Sequence, residues 1–294
     1  MRLAALMLAA CVLMLAPGVR ADGMEGPAAP VVPKSAWTFE FTPYGWLPWV
    51  SGDAVVKGRE FAVEQTPAQV LDSLNMAWMS YMQAKKGPLT LFNDTIYASL
   101  GDSDSFARSK RFSRHISGTL GAALEADYRY WTVELGGMYE VMQWRTGPGA
   151  HARDTVVELI AGGRYWHQEL DVDVDLTGTL NLDRLVITRS VAIARSGNVD
   201  WIDPFVGARL RHKPAPGEEI ALRGDVGGFG AGSQFTWQVL ATYDWQLCTL
   251  GPILVDGYLG YRALSVDYVE GEGTNRYEFD VLQQGPVIGV TGRF

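Results

Sequence analysis

The chain has 294 residues, 25 of them basic and 33 acidic, so its formal net charge is −8. This acidic balance argues against nucleic acid as a partner, because binding to phosphates requires a basic surface. Beyond residue 21, no run approaches the about 18 consecutive apolar residues that a membrane-spanning helix needs. Any passage of the mature chain through a membrane must therefore use strands.

The chain begins with the features of a secretory signal peptide. Residues 1–21 contain Arg2 in a short basic region, then an apolar core and a small-residue cleavage site. Cleavage would leave Cys248 as the one cysteine, which excludes an intrachain disulfide even in an oxidising compartment.

One short helix is predicted, in "TPAQVLDSLN". Thr66 is a suitable N-cap, Pro67 fits the first turn, and Gln69 stands three residues after the cap. The helix lies between segments with the pattern of strands.

Period-two alternation of apolar and polar side chains dominates the rest of the chain, which predicts β-strands. In "QFTWQVLATYDWQ", Val239 and Ala241 share an apolar face, while Gln238 and Thr242 share a polar face. The strands run to roughly 10–15 residues, about twice the usual globular length. Tyr and Trp recur near their ends, which is typical of aromatic girdles at membrane interfaces. These features favour a membrane barrel over a sandwich, since closure removes the sheet edges that lipid does not tolerate.

The signal peptide, the alternating strands and Phe294 at the C-terminus together resemble a Gram-negative outer-membrane β-barrel. The resemblance implies that Phe294 is the signal read by the barrel-assembly machinery, although Gly292 departs from the usual aromatic or large apolar residue. More narrowly, the chain from about residue 37 to 294 is similar to a large proteobacterial family of outer-membrane barrels with no agreed substrate. The stretches that carry this similarity are "YGW", "AGGRYW", "WIDPFVGARL", "DVGGFGAGS" with the following "TWQ", and "GYRALSVDY".

The predicted fold is all-β, a transmembrane antiparallel up-and-down barrel with the short helix in its first outer loop. Short connections alternate with long ones, as between the periplasmic and external sides of bacterial barrels. The domain organisation is a signal peptide (1–21), an N-terminal periplasmic segment (22–35) and the barrel (36–294). Long loops are expected at about 51–75, 103–127 and 172–198. Ten strands are predicted, at about 37–50, 76–85, 89–102, 128–144, 155–171, 199–212, 218–229, 234–247, 253–268 and 276–294.

Twelve strands stay possible for two reasons. "VVKGREFAV" has the pattern of a further strand, and residues 116–144 are long enough for two. The faces of the strands at 76–85 and 89–102 cannot be assigned, because apolar and polar residues do not alternate cleanly there.

The polar face of the strands becomes the lumen of a barrel. A barrel of about eight strands is filled by side chains, and wide channels appear at about 16. Ten strands therefore predict an occluded lumen, in which arginines such as Arg209, Arg223 and Arg262 pair with carboxylates such as Asp203, Asp225 and Asp256. The predicted lumen charge network is Glu40, Glu134, Glu140, Glu158, Arg164, Asp203, Arg209, Arg211, Arg223, Asp225, Asp244, Asp256 and Arg262.

Other motifs have either a functional or a structural explanation. His115 and Ser117 have the spacing of the pair in lipid A deacylase barrels, which would also need a carboxylate. The remaining histidines are scattered, so neither a metal site nor a cofactor is predicted. Alternating Asp in "DVDVDL" (171–176) predicts a solvated strand extension, "RGD" (223–225) lies in mid-strand, and the glycines of "GDVGGFGAG" suit wall packing.

The predicted function is that of a structural or surface-exposed outer-membrane protein. It would be a monomer in contact with outer-membrane lipid and lipopolysaccharide, handled by the barrel-assembly machinery during biogenesis, with no nucleic acid partner. A narrow channel or transporter for small polar solutes is the alternative. A lipid-modifying enzyme is the third, and the leading interpretation is that the protein is not an enzyme.

Overall fold

Strand pairing closes most of the chain into a barrel in the computed structural model, which describes residues 36–56, 59–111, 116–146, 153–182, 185–273 and 276–294. Within these ranges the strands are β1 (Thr38–Trp46), β2 (Trp49–Val56), β3 (Arg59–Gln65), β4 (Leu74–Lys86), β5 (Leu89–Arg111), β6 (Ile116–Thr146), β7 (Arg153–Leu182), β8 (Leu185–His212), β9 (Glu218–Gly227), β10 (Phe235–Leu250), β11 (Ile253–Glu270) and β12 (Tyr277–Arg293). One short helix, α1 (Pro67–Ser73), carries the predicted capping box at Thr66 and Gln69.

The barrel is an antiparallel ring of ten strands in the order β1, β4 to β12, and back to β1. The predicted fold class is thereby confirmed. The strands β2 and β3 form a hairpin outside the ring, paired with the first part of β12. Of the two features that left twelve strands open, "VVKGREFAV" does contribute strand, but outside the ring, and β6 is a single strand.

The predicted end of the first strand, at residue 50, is wrong. It stops at Trp46, because Pro48 interrupts the hydrogen-bonding ladder, and it resumes as β2 on the same partner. The Leu47 amide still donates to the Pro286 carbonyl at 3.1 Å. The predicted loop at 51–75 is therefore mostly the β2–β3 hairpin and α1.

The predicted loops at 103–127 and 172–198 are also corrected, because β5 to β8 continue through them as paired strands. The β6 strand has 31 residues, which at about 3.3 Å per residue is about 100 Å of chain. A lipid-facing band is only about 25 Å tall. Strand pairing satisfies the backbone equally well in water, so membrane thickness does not limit strand length.

The two ends of the barrel differ. One end has the short connections between β4 and β5, between β8 and β9 and between β10 and β11, and is called the short-turn end. The other, from which β5 to β8 project, is called the long-strand end. In the described ranges no helix has the length and hydropathy needed to cross a membrane.

The outer surface of the ring is an apolar band between two rows of aromatic side chains. Trp78, Trp131 and Tyr165 lie outward near the long-strand end, and Phe39, Tyr139, Trp144, Tyr243 and Phe294 lie outward near the short-turn end. The band between them consists of exposed aliphatic residues, including Leu91, Leu135, Leu159, Val206, Leu222, Val239, Leu259 and Ile288. This is the surface expected of a barrel in lipid.

The faces of β10 lie as the alternation predicts. Val239 is 42% exposed and Ala241 is exposed, while Gln238 is fully buried and Thr242 is 9% exposed. The seam between β1 and β12 is closed by reciprocal backbone hydrogen bonds between Phe39 and Phe294, at 2.9 and 3.3 Å.

We expect Val239→Lys to destabilise the barrel in phospholipid bilayers by about 2–4 kcal/mol, because Val239 lies midway between the aromatic rows, where a cation is costly. The matched control is Leu250→Lys, on the same strand at the short-turn end, with an expected cost of about 0–1 kcal/mol. The measurement is reversible urea unfolding in vesicles. Equal costs at the two positions would contradict the assigned lipid band.

Candidate functional site in the barrel lumen

A carboxylate at the centre of the lumen holds three arginines. Glu134 is fully buried on β6. Its Oε1 accepts from Arg164 Nε at 2.8 Å and from Arg262 Nη2 at 3.2 Å, and its Oε2 accepts from Arg223 Nη2 at 2.7 Å. Strand alternation places all four side chains inward. Arg164 is the cross-strand neighbour of Glu134 on β7, while Arg223 and Arg262 reach Glu134 from β9 and β11.

Two more carboxylates balance these arginines. Asp225 lies 2.8 Å from both Arg164 Nη2 and Arg223 Nη2. Asp94 lies 3.0 Å from Arg262 Nη1 and also accepts from the Tyr44 hydroxyl at 2.6 Å. Three carboxylates thus face three guanidinium groups, and this set of residues is called the Glu134 cluster. Its members are Asp94, Glu134, Arg164, Arg223, Asp225 and Arg262.

Aromatic rings enclose the Glu134 cluster. The guanidinium of Arg223 lies 5.0 Å from the Phe92 ring centre and 5.5 Å from that of Phe205, while Arg164 lies 5.1 Å from Phe205. Arg262 lies 5.2 Å from the Trp46 ring. The ring faces attract the cations and exclude water, which strengthens the ion pairs around them.

The Glu134 cluster spans the barrel cross-section. Its charged members lie on β5, β6, β7, β9 and β11, Tyr44 adds β1, and Gln238 adds β10 by accepting from Arg262 Nε at 2.6 Å. Gln238 also donates to Asp225 at 3.2 Å. Side chains from opposite walls therefore meet over the barrel axis and block it.

A second layer of charges lies toward the short-turn end. Glu158 accepts from Arg209 Nε at 2.5 Å and lies 3.4 Å from Arg211 Nε. Arg211 also lies 3.3 Å from Glu140, which pairs with Lys85.

A third set of charges lies at the rim of the short-turn end. Arg293 lies 2.8 Å from Asp256 and 3.7 Å from Glu40. Asp244 points into the lumen with no ion-pair partner among the described residues. Between this rim and the Glu134 cluster is a small cavity of about 70 Å³.

The long-strand end of the lumen is filled by aromatic side chains around Asp203. This buried carboxylate accepts from Trp166 Nε1 at 2.9 Å, from the Ser233 amide at 2.6 Å and from the Ser233 hydroxyl at 2.8 Å. Trp201 stacks between Trp166 and Tyr268, with ring centres 5.4 and 4.0 Å away. The loop between β9 and β10 is thereby tied to β8.

Close packing explains Gly232 in this loop. A Cβ there would lie 2.5 Å from both Asp203 Oδ1 and the Ile202 carbonyl oxygen, so no side chain fits without a shift. Gly228 and Gly230 have positive φ angles, which glycine adopts most readily. The "GGFGAGS" stretch therefore packs against the barrel wall at β8, in agreement with the packing role expected for its glycines.

The predicted lumen charges lie inside the barrel, and two of the three named arginines meet carboxylates other than Asp203, Asp225 and Asp256. Arg223 does meet Asp225. Arg209 pairs with Glu158 and not with Asp203, which instead binds Trp166, Trp201 and Ser233. Arg262 pairs with Asp94 and Glu134 and not with Asp256, which meets Arg293.

Sequence reasoning missed Asp94, Lys85, Glu219 and Arg293. The first two lie on β5 and β4, whose inward faces also carry apolar residues such as Phe92 and Ile96, so the alternation is obscured. The signal that could have found Asp94 is its charge, which cannot face lipid.

The remaining motifs have mixed outcomes. His115 lies outside the described residues, as do the side chain of Ser117 and most of those in "DVDVDL". In "RGD", Arg223 and Asp225 face the lumen. Among the residues that the structure describes, no group of His, Cys, Asp and Glu could hold a metal ion.

Comparison with known proteins gives remote likenesses. No protein-family model matches the chain, and no curated protein matches it in sequence. Among solved structures, Ail, the attachment invasion locus protein of Yersinia pestis, has 8% identity and a TM-score of 0.32 over 88% of this chain and 99% of that one. An anion-selective porin from Comamonas acidovorans has 9% identity and a TM-score of 0.23 over 88% and 99%. A Pseudomonas aeruginosa FadL homologue has 7% identity and a TM-score of 0.23 over 88% and 89%.

The fold is assigned from the geometry described above. A closed antiparallel ring, an apolar outer band between aromatic rows and a charged interior are the architecture of an outer-membrane β-barrel protein.

We expect Glu134→Gln to lower the free energy of unfolding by about 3–5 kcal/mol, because it leaves three buried guanidinium groups without their shared carboxylate. The control is Glu278→Gln, which removes an exposed partner of Arg276 and should cost less than about 1 kcal/mol. Urea unfolding in detergent micelles measures both. A small effect at Glu134 would show that water screens the Glu134 cluster.

We expect Gly232→Ala to lower stability by about 1–3 kcal/mol through overpacking against β8. Gly45→Ala serves as the control, because a Cβ at Gly45 meets nothing within 4 Å. Thermal unfolding followed by tryptophan fluorescence gives the comparison. If both variants unfold at the same temperature as wild type, the loop does not pack tightly against β8.

Proposed function

We propose that this protein is an integral outer-membrane barrel with an occluded lumen, serving a structural or surface-exposed role and neither conducting solutes nor catalysing a reaction. The observation that carries the proposal is the contact of Glu134 with Arg223 and Arg262 across the barrel axis. An aqueous pore at this level would separate these groups.

The energetics of buried charge support a closed state. Each member of the Glu134 cluster has lost its water, and removing one partner of such a pair is costly. Parting the cluster to pass a solute would expose several ion pairs at once and would also unstack the cations from Phe92, Phe205 and Trp46. The lumen therefore braces the wall.

The outer surface supports a location in the outer membrane. Its apolar band and aromatic rows suit outer-membrane lipid and lipopolysaccharide, with the short-turn end in the periplasm and the long-strand end outside. The proposal includes a monomer without a nucleic acid partner, and Phe294 as the signal for the barrel-assembly machinery. The lipid-facing exposure of Phe294, at 58%, agrees with that role.

The cavity between the Glu134 cluster and the short-turn end favours the alternative, a narrow channel for small polar solutes. It occupies about 70 Å³ on one side of the cluster and is lined by charges of both signs. A channel would need the Glu134 cluster and the aromatic layer around Asp203 to open together.

Conductance in planar bilayers distinguishes the two functions. We expect wild type to show no steady conductance, and Arg223→Ala to show a leak because Arg223 fills the axis beside Phe92 and Phe205. The control is Arg145→Ala, which removes an exposed arginine paired with Asp154 near the short turns. Steady conductance of wild type, with Arg223→Ala changing ion selectivity but not stability, would overturn the occluded barrel and establish the channel.

A further inference from the structure

The barrel wall is incomplete on one side of the long-strand end. Pairing of β8 with β9 ends at Phe205 and Gly227, and pairing of β10 with β11 begins at Phe235 and Asp267. Beyond these points, the described parts of β8 and β11 have no strand between them. The β9–β10 hairpin is therefore too short to complete the wall at this height.

The gap is bridged by a loop and by side chains. The Gly228 amide donates to the Pro204 carbonyl at 3.0 Å on the β8 side, and the Gln234 amide donates to the Asp267 carbonyl at 2.7 Å on the β11 side. Trp201 of β8 stacks on Tyr268 of β11 at 4.0 Å with an interplanar angle of 14°.

An open pocket of about 520 Å³ lies at this gap and is called the wall pocket. Trp201 and Tyr268 line it from the lumen side, while Tyr165 and Ile202 line it from the outer side. Residues of both faces of the sheet therefore contact one cavity, as expected where the wall is open. Its lining residues are Tyr165, Asp200, Trp201, Ile202, Ala231, Gly232, Tyr268 and Val269.

The wall pocket is negatively charged. Asp200 lies beyond the aromatic row, where its Oδ1 accepts from the Tyr165 hydroxyl at 2.5 Å and lies 2.6 Å from His167 Nδ1. The hydrogen bond from Tyr165 lowers the pKa of Asp200 below its usual value, and the one with His167 lowers this pKa further. The carboxylate is therefore ionised at neutral pH. Tyr268 also donates to Glu270 at 2.9 Å, a carboxylate that lies beside the lining and not in it.

The balance of charge selects the kind of ligand. Neither lysine nor arginine is among the described residues that line the wall pocket, and His167 contacts Asp200 from outside that lining. A ligand anion would therefore face the Asp200 carboxylate. The apolar part of the lining includes Ile202, which is 61% exposed, and Val269. A carboxylate beside apolar side chains at a membrane interface suits a cation attached to an apolar body.

We infer that the wall pocket binds a primary ammonium group carried on an apolar chain, with the ammonium at Asp200 and the chain along Ile202 and Val269. The ligand has two sources, an amine-bearing lipid of the surrounding membrane or an amphiphilic amine from the water phase. The inference does not depend on closure of the lumen, because the wall pocket lies outside the Glu134 cluster.

The test uses the full-length barrel in a non-ionic detergent. Titration calorimetry with hexylammonium should show saturable binding, while hexan-1-ol, which has the same chain and no charge, should bind at least tenfold more weakly. Asp200→Asn should weaken hexylammonium binding at least tenfold. Asp280→Asn, the same change at an exposed acid of β12, should leave it unchanged, and Ile202→Trp, which narrows the mouth, should weaken both ligands.

A second arm identifies the source. Native mass spectrometry of the barrel from mixed micelles with equal phosphatidylethanolamine and phosphatidylglycerol reports which lipid is retained. Retention of phosphatidylethanolamine that Asp200→Asn removes supports the membrane as source, and hexylammonium binding without lipid preference supports the water phase. The inference is overturned if neither arm responds to Asp200→Asn, if hexan-1-ol binds as tightly as hexylammonium, or if Asp280→Asn acts equally.

Discussion

The buried carboxylate of Glu134 sets the character of this barrel. It accepts from Arg164 on the neighbouring strand β7 and from Arg223 and Arg262 on β9 and β11, so one side chain of β6 contacts two strands with which β6 does not pair. The aromatic rings around the cations then keep water from competing with these pairs. The lumen is therefore a polar core. It fills the inside of this membrane barrel as apolar side chains fill the inside of a soluble protein.

The layers on either side depend on this core. Toward the short-turn end, Arg209 and Arg211 bring their charges to Glu158 and Glu140, so positive and negative groups alternate down the axis. Toward the long-strand end, polarity falls, and Asp203 is surrounded by indole and hydroxyl donors in place of arginines. The molecule thus changes from ion pairs to aromatic stacking along its length, and the wall pocket lies where the stacked layer reaches the outside.

The sequence predicts the ring and the faces of its later strands because alternation is a local property, visible at Val239 and Gln238 without any partner. It does not predict which charges meet. Glu134 and Arg262 are 128 positions apart, and their contact depends on register and shear around the whole ring. The alternation also failed on β4 and β5, because inward apolar residues such as Phe92 hide the polar face and with it Asp94. The lengths of β5 to β8 were underestimated because the membrane was assumed to end them.

The projecting parts of β5 to β8 should affect how easily proteases cut the protein. In β7, the twelve residues from Asp171 to Leu182 remain paired with β8, which at about 3.3 Å per residue gives about 40 Å of sheet beyond Leu170. Proteases cut exposed loop tips in preference to paired strands. A barrel whose external portion is sheet should therefore withstand digestion on intact cells that would trim a barrel with long open loops.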